Sequence, residues 1–132
     1  MEQAENARDW GELEVAKSFF VQAGKLTTND LPYYELAALG PFEDWSLEAA
    51  EEAVKRNPYS ARNRLLLAQI QFREKRFEEA RIHAEESHRL YPLEPKTAKL
   101  LVDIYRKLGW SERSLEMTLE WTRLKDLRRS TR

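Results

Sequence analysis

The feature that most restricts what this chain can fold into is a repetition. The stretch AEEAVKRNP, residues 50–58, returns as AEESHRLYP at residues 84–92. Pro58 and Pro92 stand 34 residues apart, as do Ala50 and Ala84, Glu51 and Glu85, Glu52 and Glu86, and the basic pair Lys55 and Arg89. The same step links Leu36, Ile70 and Ile104. Ser46-Leu47-Glu48 returns two steps later as Ser114-Leu115-Glu116, with Ala80 at the middle position. A fixed period of this size marks stacked repeats. One unit cannot bury its apolar face alone, and stacked neighbours bury it through the same positions each time.

Three units follow, 27–60, 61–94 and 95–126, each built as a periodic stretch, a break, a second periodic stretch and a stop. In the middle unit Leu66, Leu67, Ile70 and Gln71 fall at helical spacing within a segment, 60–75, that lacks Gly and Pro. Phe77, Ala80, Ala84, Ser87 and Leu90 form a second stripe at steps of three and four. The small residues at 80, 84 and 87 predict a close approach of the two helices. Tyr91-Pro92 predicts the stop, because the residue before proline avoids the helical region.

In the third unit the pattern predicts a helix over 97–108, capped by Gly109, and another from Glu112 to about Lys125, capped by Ser111. In the first, Asp30 is placed to cap a helix over Leu31–Leu39 with Pro32 in its first turn. Gly40-Pro41 breaks it, and Asp44 or Ser46 caps a helix reaching about Arg56. Residues 1–26 add a helix of their own. Leu13, Ala16, Phe19, Phe20 and Ala23 share a face from about Glu12, Trp10-Gly11 bends or begins it, and Gly24 is placed as its cap. Residues 127–132 are read as a basic tail. The fold expected is all-α, with about seven helices.

Composition agrees with many solvated helices. Charged residues make up 34% of the chain, against only four glycines and five prolines. The net charge of −1 predicts no global attraction to nucleic acid or to an anionic membrane. The absence of cysteine removes disulfides, thiol nucleophiles and thiolate metal sites. The start, MEQAENARDW, is polar and acidic, unlike a signal peptide. Read as a complete protein, the chain is expected in the cytoplasm.

A helix pair of this length with small and aromatic residues at set places resembles the tetratricopeptide repeat (TPR). The middle unit carries the likeness best. Leu67 and Ala68 stand at the large-small pair of the first helix, and Phe77, Ala80, Ser87 and Pro92 at the second-helix positions. Ala84 is smaller than the usual aromatic, and Arg64 and Gln71 replace the usual Trp and Tyr. The first unit keeps Ser46, Ala50, Ala53 and Pro58, with Tyr33-Tyr34 in place of the pair. The third keeps Leu101, Tyr105 and Ser114, and loses the pattern at Trp121 and Asp126. The resemblance implies a right-handed superhelix of antiparallel helix pairs, with the N-terminal helix packed on the array. It implies a non-catalytic module or scaffold for protein–protein interaction.

In that family the first helices line a concave face that binds peptides. Carrying the positions over gives Arg62, Leu65, Leu66, Gln69, Phe72 and Arg73 in the middle unit. The third unit supplies Lys96, Lys99, Leu100, Asp103, Arg106 and Lys107, and the first Thr28, Leu31, Pro32, Glu35, Ala38 and Leu39. Basic residues outnumber acidic ones six to two, so an acidic or phosphorylated partner is expected. The subclass that clamps the C-terminal carboxylate of heat-shock chaperones is excluded. Only Lys96 matches its five basic and amide positions; Leu31, Glu35, Leu66 and Leu100 hold the other four. A shorter likeness, in YYELAAL, AVKRNP and LYP, is to the soluble TPR segments of bacterial O-antigen ligase and polymerase-like membrane proteins. It implies instead an accessory domain on the periplasmic side that serves envelope assembly.

No residue pattern predicts catalysis, a metal or a cofactor. His83 and His88 are five apart on one helix, where two ligands would sit better at i and i+4. The four glycines are isolated and make no phosphate-cradling loop. The acidic residues alternate with basic ones, as solvated helix faces do. Trp45 and Trp110 lie near turns, where packing is the expected role. Trp121, with Leu115, Leu119 and Leu124, is the candidate face for self-association, the chain being expected as a monomer or weak homodimer. The tail from Arg123 is expected to be a solvated end that complements the last helix dipole.

Overall fold

The computed structural model describes residues 2–40 and 43–130, with side chains from 11 to 129 among them. Pro41 and the last two residues of the basic tail lie outside the described residues. Among those described the chain is helical throughout, without strands. The helices are α1 (Glu2–Lys25), α2 (Leu31–Leu39), α3 (Ser46–Arg56), α4 (Ala61–Arg73), α5 (Phe77–Leu90), α6 (Pro95–Leu108) and α7 (Ser111–Ser130). They group into two compact units, divided after Pro58. In the first, α2 packs on α1 and α3; in the second, α4 on α5, α5 on α6, α6 on α7, and α4 meets α6.

In the second unit the 34-residue step governs where helices start and stop. Ser60 and Glu94, one step apart, cap α4 and α6. The Ser60 hydroxyl accepts the Asn63 amide at 3.1 Å, and the Glu94 carboxylate accepts the Lys96 amide at 3.3 Å. At the far ends Lys75 and Gly109, again one step apart, both take left-handed backbone, with φ of 65° and 78°. The Lys75 amide bonds the Phe72 carbonyl and the Arg76 amide the Gln71 carbonyl. Gly109 and Trp110 repeat this pair with Arg106 and Tyr105. Each turn thereby satisfies carbonyls that the helix end would otherwise leave bare.

The core of this unit is built on small residues. Ala68, Ala80 and Ala84 are fully buried, together with Leu101, Ile104 and Tyr105. Leu65, Phe72, Trp110 and Met117 pack against the cluster from its edge. The ring of Trp110 stacks on Tyr105 at 5.7 Å, and Phe72 meets Phe77 edge-on at 5.4 Å. These rings supply bulk beside Ala84, the position where the repeat pattern would carry an aromatic.

Several expected caps differ. Gly24 does not end α1, which continues to Lys25 and also runs without a break through Gly11. Its role is close approach: a Cβ there would lie 2.6 Å from the Tyr33 ring. Asp30 makes no capping bond, and the neighbouring Asn29 carboxamide oxygen accepts the Leu31 amide instead. Ser46 lies inside α3 and donates its hydroxyl back to the Glu43 carbonyl at 2.8 Å. Ser111 is the first residue of α7, which runs to Ser130 and takes in the start of the expected tail.

The first unit is tied by Arg56. One guanidinium nitrogen donates to the carbonyls of Gly24, Thr27 and Asn29 at 2.8–3.1 Å, and Nε donates to Glu52. The same group lies 4.4 Å over the Tyr33 ring. It thereby satisfies the C-terminal end of α1 and the loop after it. Trp45 packs near Gly40, where a Cβ would sit 2.8 Å from the indole, and Lys17 lies over its ring at 5.2 Å.

Two substitutions test this account. Ala84→Trp forces a large ring into a filled seam and is expected to cost on the order of 3 kcal/mol; a thermal melt equal to that of the parent would refute the seam. Lys75→Gly relieves left-handed backbone strain of ~1–2 kcal/mol against ~0.5–1 kcal/mol of added chain freedom. A net gain of roughly 0.5–1 kcal/mol is expected in urea melts.

Candidate functional site

The second unit contains a cleft of about 530 Å³ framed by three helices. α6 supplies Pro95, Lys96, Lys99, Leu100 and Asp103. α7 supplies Trp121, Lys125, Arg128 and Arg129, and α4 supplies Gln69. Five cations and one carboxylate thus surround an apolar floor of Pro95, Leu100 and Trp121.

The internal contacts are few and solvent-accessible. The Lys99 ammonium donates to Asp103 at 2.8 Å, and Arg128 lies 3.5 Å from the Glu94 carboxylate. Both pairs are partly exposed, and such pairs are worth little to stability. Lys125 and Lys99 place their ammonium groups 3.9 and 5.3 Å from the centre of the Trp121 ring.

The repeat register explains why a cleft forms here. Trp121 stands one step after Ser87 and two after Ala53, both buried small residues. Ser87 closes α5 onto α4 by donating its hydroxyl to the Ala61 carbonyl at 2.8 Å. The residue one step after Ala61 is Pro95, a cleft residue. Where the preceding pair is sealed by a serine, this pair carries an indole, and the space beside it stays open.

Of the residues expected to bind a partner, Gln69, Lys96, Lys99, Leu100 and Asp103 come together in this cleft. Trp121 joins them, half-buried on the α6 side of α7, with the buried Leu124. It does not share a face with Leu115 and Leu119, which are 63% and 66% exposed. Leu65 and Phe72 are taken up against the core, and Leu66 is half-buried. Arg62, Arg73 and Lys107 are exposed outside the cleft lining. Arg106 borders a different hollow, with Ser111, Ser114, Leu115 and Thr118.

The residues that sequence reasoning missed are Lys125, Arg128 and Arg129. The signal was present, since 121, 125, 128 and 129 fall on one helix face and no Gly or Pro interrupts 111–132.

A second hollow runs along α1 beside Val15, Ala16, Phe19 and Phe20. Its lining comes from one helix, with no convergent polar groups, so it is an apolar surface and not a shaped site.

Elsewhere in the second unit, some charged residues are tied into partly buried contacts. Glu85 accepts from Arg81 at 2.8 Å and from the Tyr105 hydroxyl at 2.6 Å, and Arg113 lies 3.6 Å away. Burial, then this carboxylate, pushes the Tyr105 phenol up to about 12. The His83 ring nitrogen Nδ1 faces the Arg64 guanidinium at 3.0 Å, and a guanidinium can only donate, so Nδ1 is the accepting nitrogen. Burial and then Arg64 hold His83 below the ordinary histidine value of 6.5.

The sign for stability follows. Above pH 6.5 His83 is neutral in both states and costs nothing; below it the unfolded chain takes up a proton that the folded one resists, and stability falls. His83→Gln keeps an acceptor for Arg64 and removes this loss. Its melting temperature is expected to drop less than the parent's between pH 7 and 5; equal drops would refute the assignment.

No family model matches the sequence, and no curated protein matches it. Solved structures do. A MamA crystal structure aligns over 98% of this chain and 78% of its own, with a TM-score of 0.82 at 14% identity. A double mutant of MamA RS-1 aligns over 92% and 70%, at 0.80 and 18%. MamA from Desulfovibrio magneticus RS-1 aligns over 93% and 70%, at 0.70 and 20%. No described helix is long and apolar enough to cross a membrane. What the chain shares with these proteins at such identities is its fold, all-helical and tetratricopeptide-like.

Proposed function

We propose that this protein is a non-catalytic interaction module whose basic cleft holds an acidic segment of a partner protein. The observation that carries the reading is the concentration of charge. A chain of net charge −1 gathers five cations around one carboxylate, over an apolar floor, between three helices. Such a site attracts carboxylates or phosphates on encounter, rejects basic segments, and offers Trp121 as anchoring area. Gln69 on the facing wall supplies a donor and an acceptor for a peptide backbone. The tetratricopeptide-like fold supports the same class of role by analogy.

The test uses a fluorescein-labelled oligoglutamate peptide. Lys99→Glu with Lys125→Glu is expected to weaken binding about tenfold or more and to flatten its salt dependence. Arg106→Glu with Lys107→Glu makes the same change in net charge outside the cleft and is expected to have a much smaller effect. Equal losses in the two double variants would show that general charge, and not the cleft, draws the peptide. Absence of binding to the parent would overturn the proposal.

A further inference from the structure

We infer that Trp121 makes the cleft selective for an acidic run, which draws Lys125 off the indole, followed by an aromatic or bulky apolar side chain that stacks on it. This rests on the function proposed above and adds a second recognition element to it.

The cleft is polarised along its length. At one end, the first turn of α6 meets the last turns of α7, where Arg128 reaches Glu94 and Lys96 and Arg129 also line the wall. At the other end stands Asp103, bound to Lys99. Three cations, Lys96, Arg128 and Arg129, outweigh Glu94 at the first end, so a ligand's carboxylates settle there and not beside Asp103. Trp121 lies between the two, beside Lys99 one turn along α6 from Lys96.

Two ammonium groups lie over the indole, Lys125 at 3.9 Å and Lys99 at 5.3 Å from the ring centre. Cation–π contacts at solvent-open sites are weak, and an incoming carboxylate offers Lys125, the nearer of the two cations, a better partner. Once Lys125 turns to it, the ring face is open to the ligand beside the Leu100 and Pro95 that line the cleft. Bare apolar surface of this kind is stabilised by an apolar side chain, and aromatic rings pack on an indole in offset or edge-on geometry. Acid binding and apolar binding are thereby coupled: the first uncovers the surface that the second needs. A single aromatic platform suits a peptide better than a nucleic-acid strand, which would use a row of platforms.

Three labelled probes test this by fluorescence anisotropy: an oligoglutamate followed by phenylalanine, the same peptide with alanine in its place, and an oligothymidylate of similar length. The parent protein is expected to prefer the phenylalanine peptide about fivefold or more. Trp121→Ser, which installs the residue found at the equivalent position 87, is expected to lose that preference and bind the two peptides equally. Should this variant fail to melt cooperatively, the indole Nε1–H resonance of Trp121 in the parent replaces it. That resonance is expected to shift with the phenylalanine peptide and to move much less with the alanine one. Equal affinity for the two peptides overturns the inference and leaves the acidic cleft standing. No binding of either overturns both. Oligothymidylate binding as tight as the phenylalanine peptide also overturns it, in favour of a base on the indole.

Discussion

Everything in the helical packing depends on how closely the helices can approach. Ala37 and Ala50 in the first unit, and Ala68, Ala80, Ala84 and Ala98 in the second, are completely buried. Interaxial distances near 8–10 Å require small side chains where two backbones cross. Once those crossings are fixed, larger residues have defined spaces to fill. Leu67, Ile70, Leu101 and Ile104 are almost fully buried because they interdigitate around the alanine contacts. The period reflects this physics: a seam that tolerates only small residues must recur wherever the next helix pair is laid down.

Much of the fold was legible for that reason. Ala80, Ala84 and Ser87 were readable as seam positions from spacing alone, and Gly109 as a helix cap from its residue type. Lys75 was not. It takes the same backbone as Gly109 without the residue that announces it, since the hydrogen bonds of the turn and the packing of α4 on α5 outweigh its local strain. Gly24 was misread for the opposite reason. A glycine after a periodic stretch fits either a cap or a close contact, and the contact that decides it, with Tyr33, is non-local. Arg56 resembled any basic residue of a last turn. Its three carbonyl partners lie 27–32 residues earlier and carry no side-chain signature.

The candidate site was half legible. Family positions pointed to Gln69, Lys96, Lys99 and Asp103, because first helices of helix pairs share one exposed face. They also pointed to Leu65 and Phe72, which groove and seam compete for, and the seam takes both. The α7 contribution was missed because a run of arginines near a terminus resembles a fraying tail. With α7 helical to Ser130, the same residues stand in register above Lys96 and Lys99. Charge that would be diffuse in a tail becomes a wall.

The cleft arises where repetition and its exception meet. Ala53 and Ser87 are buried small residues, and Ser87 hydrogen-bonds the neighbouring helix. Trp121, in the same register, is too large for such a seam and holds open the space beside Pro95. A similar substitution of character occurs on the opposite face of α7. Arg81 and Glu85 join a network with Tyr105 and Arg113, whereas Leu115 and Leu119, one step later, are exposed leucines. The third helix pair thus keeps the backbone plan of the second and changes what its second helix presents on both sides. In a repeat architecture the scaffold is specified by what recurs. Recognition falls to residues that depart from the recurrence, because only there is surface released from the demands of packing. Trp121 is the largest such departure in the second unit, and the cations of α6 and α7 converge around it.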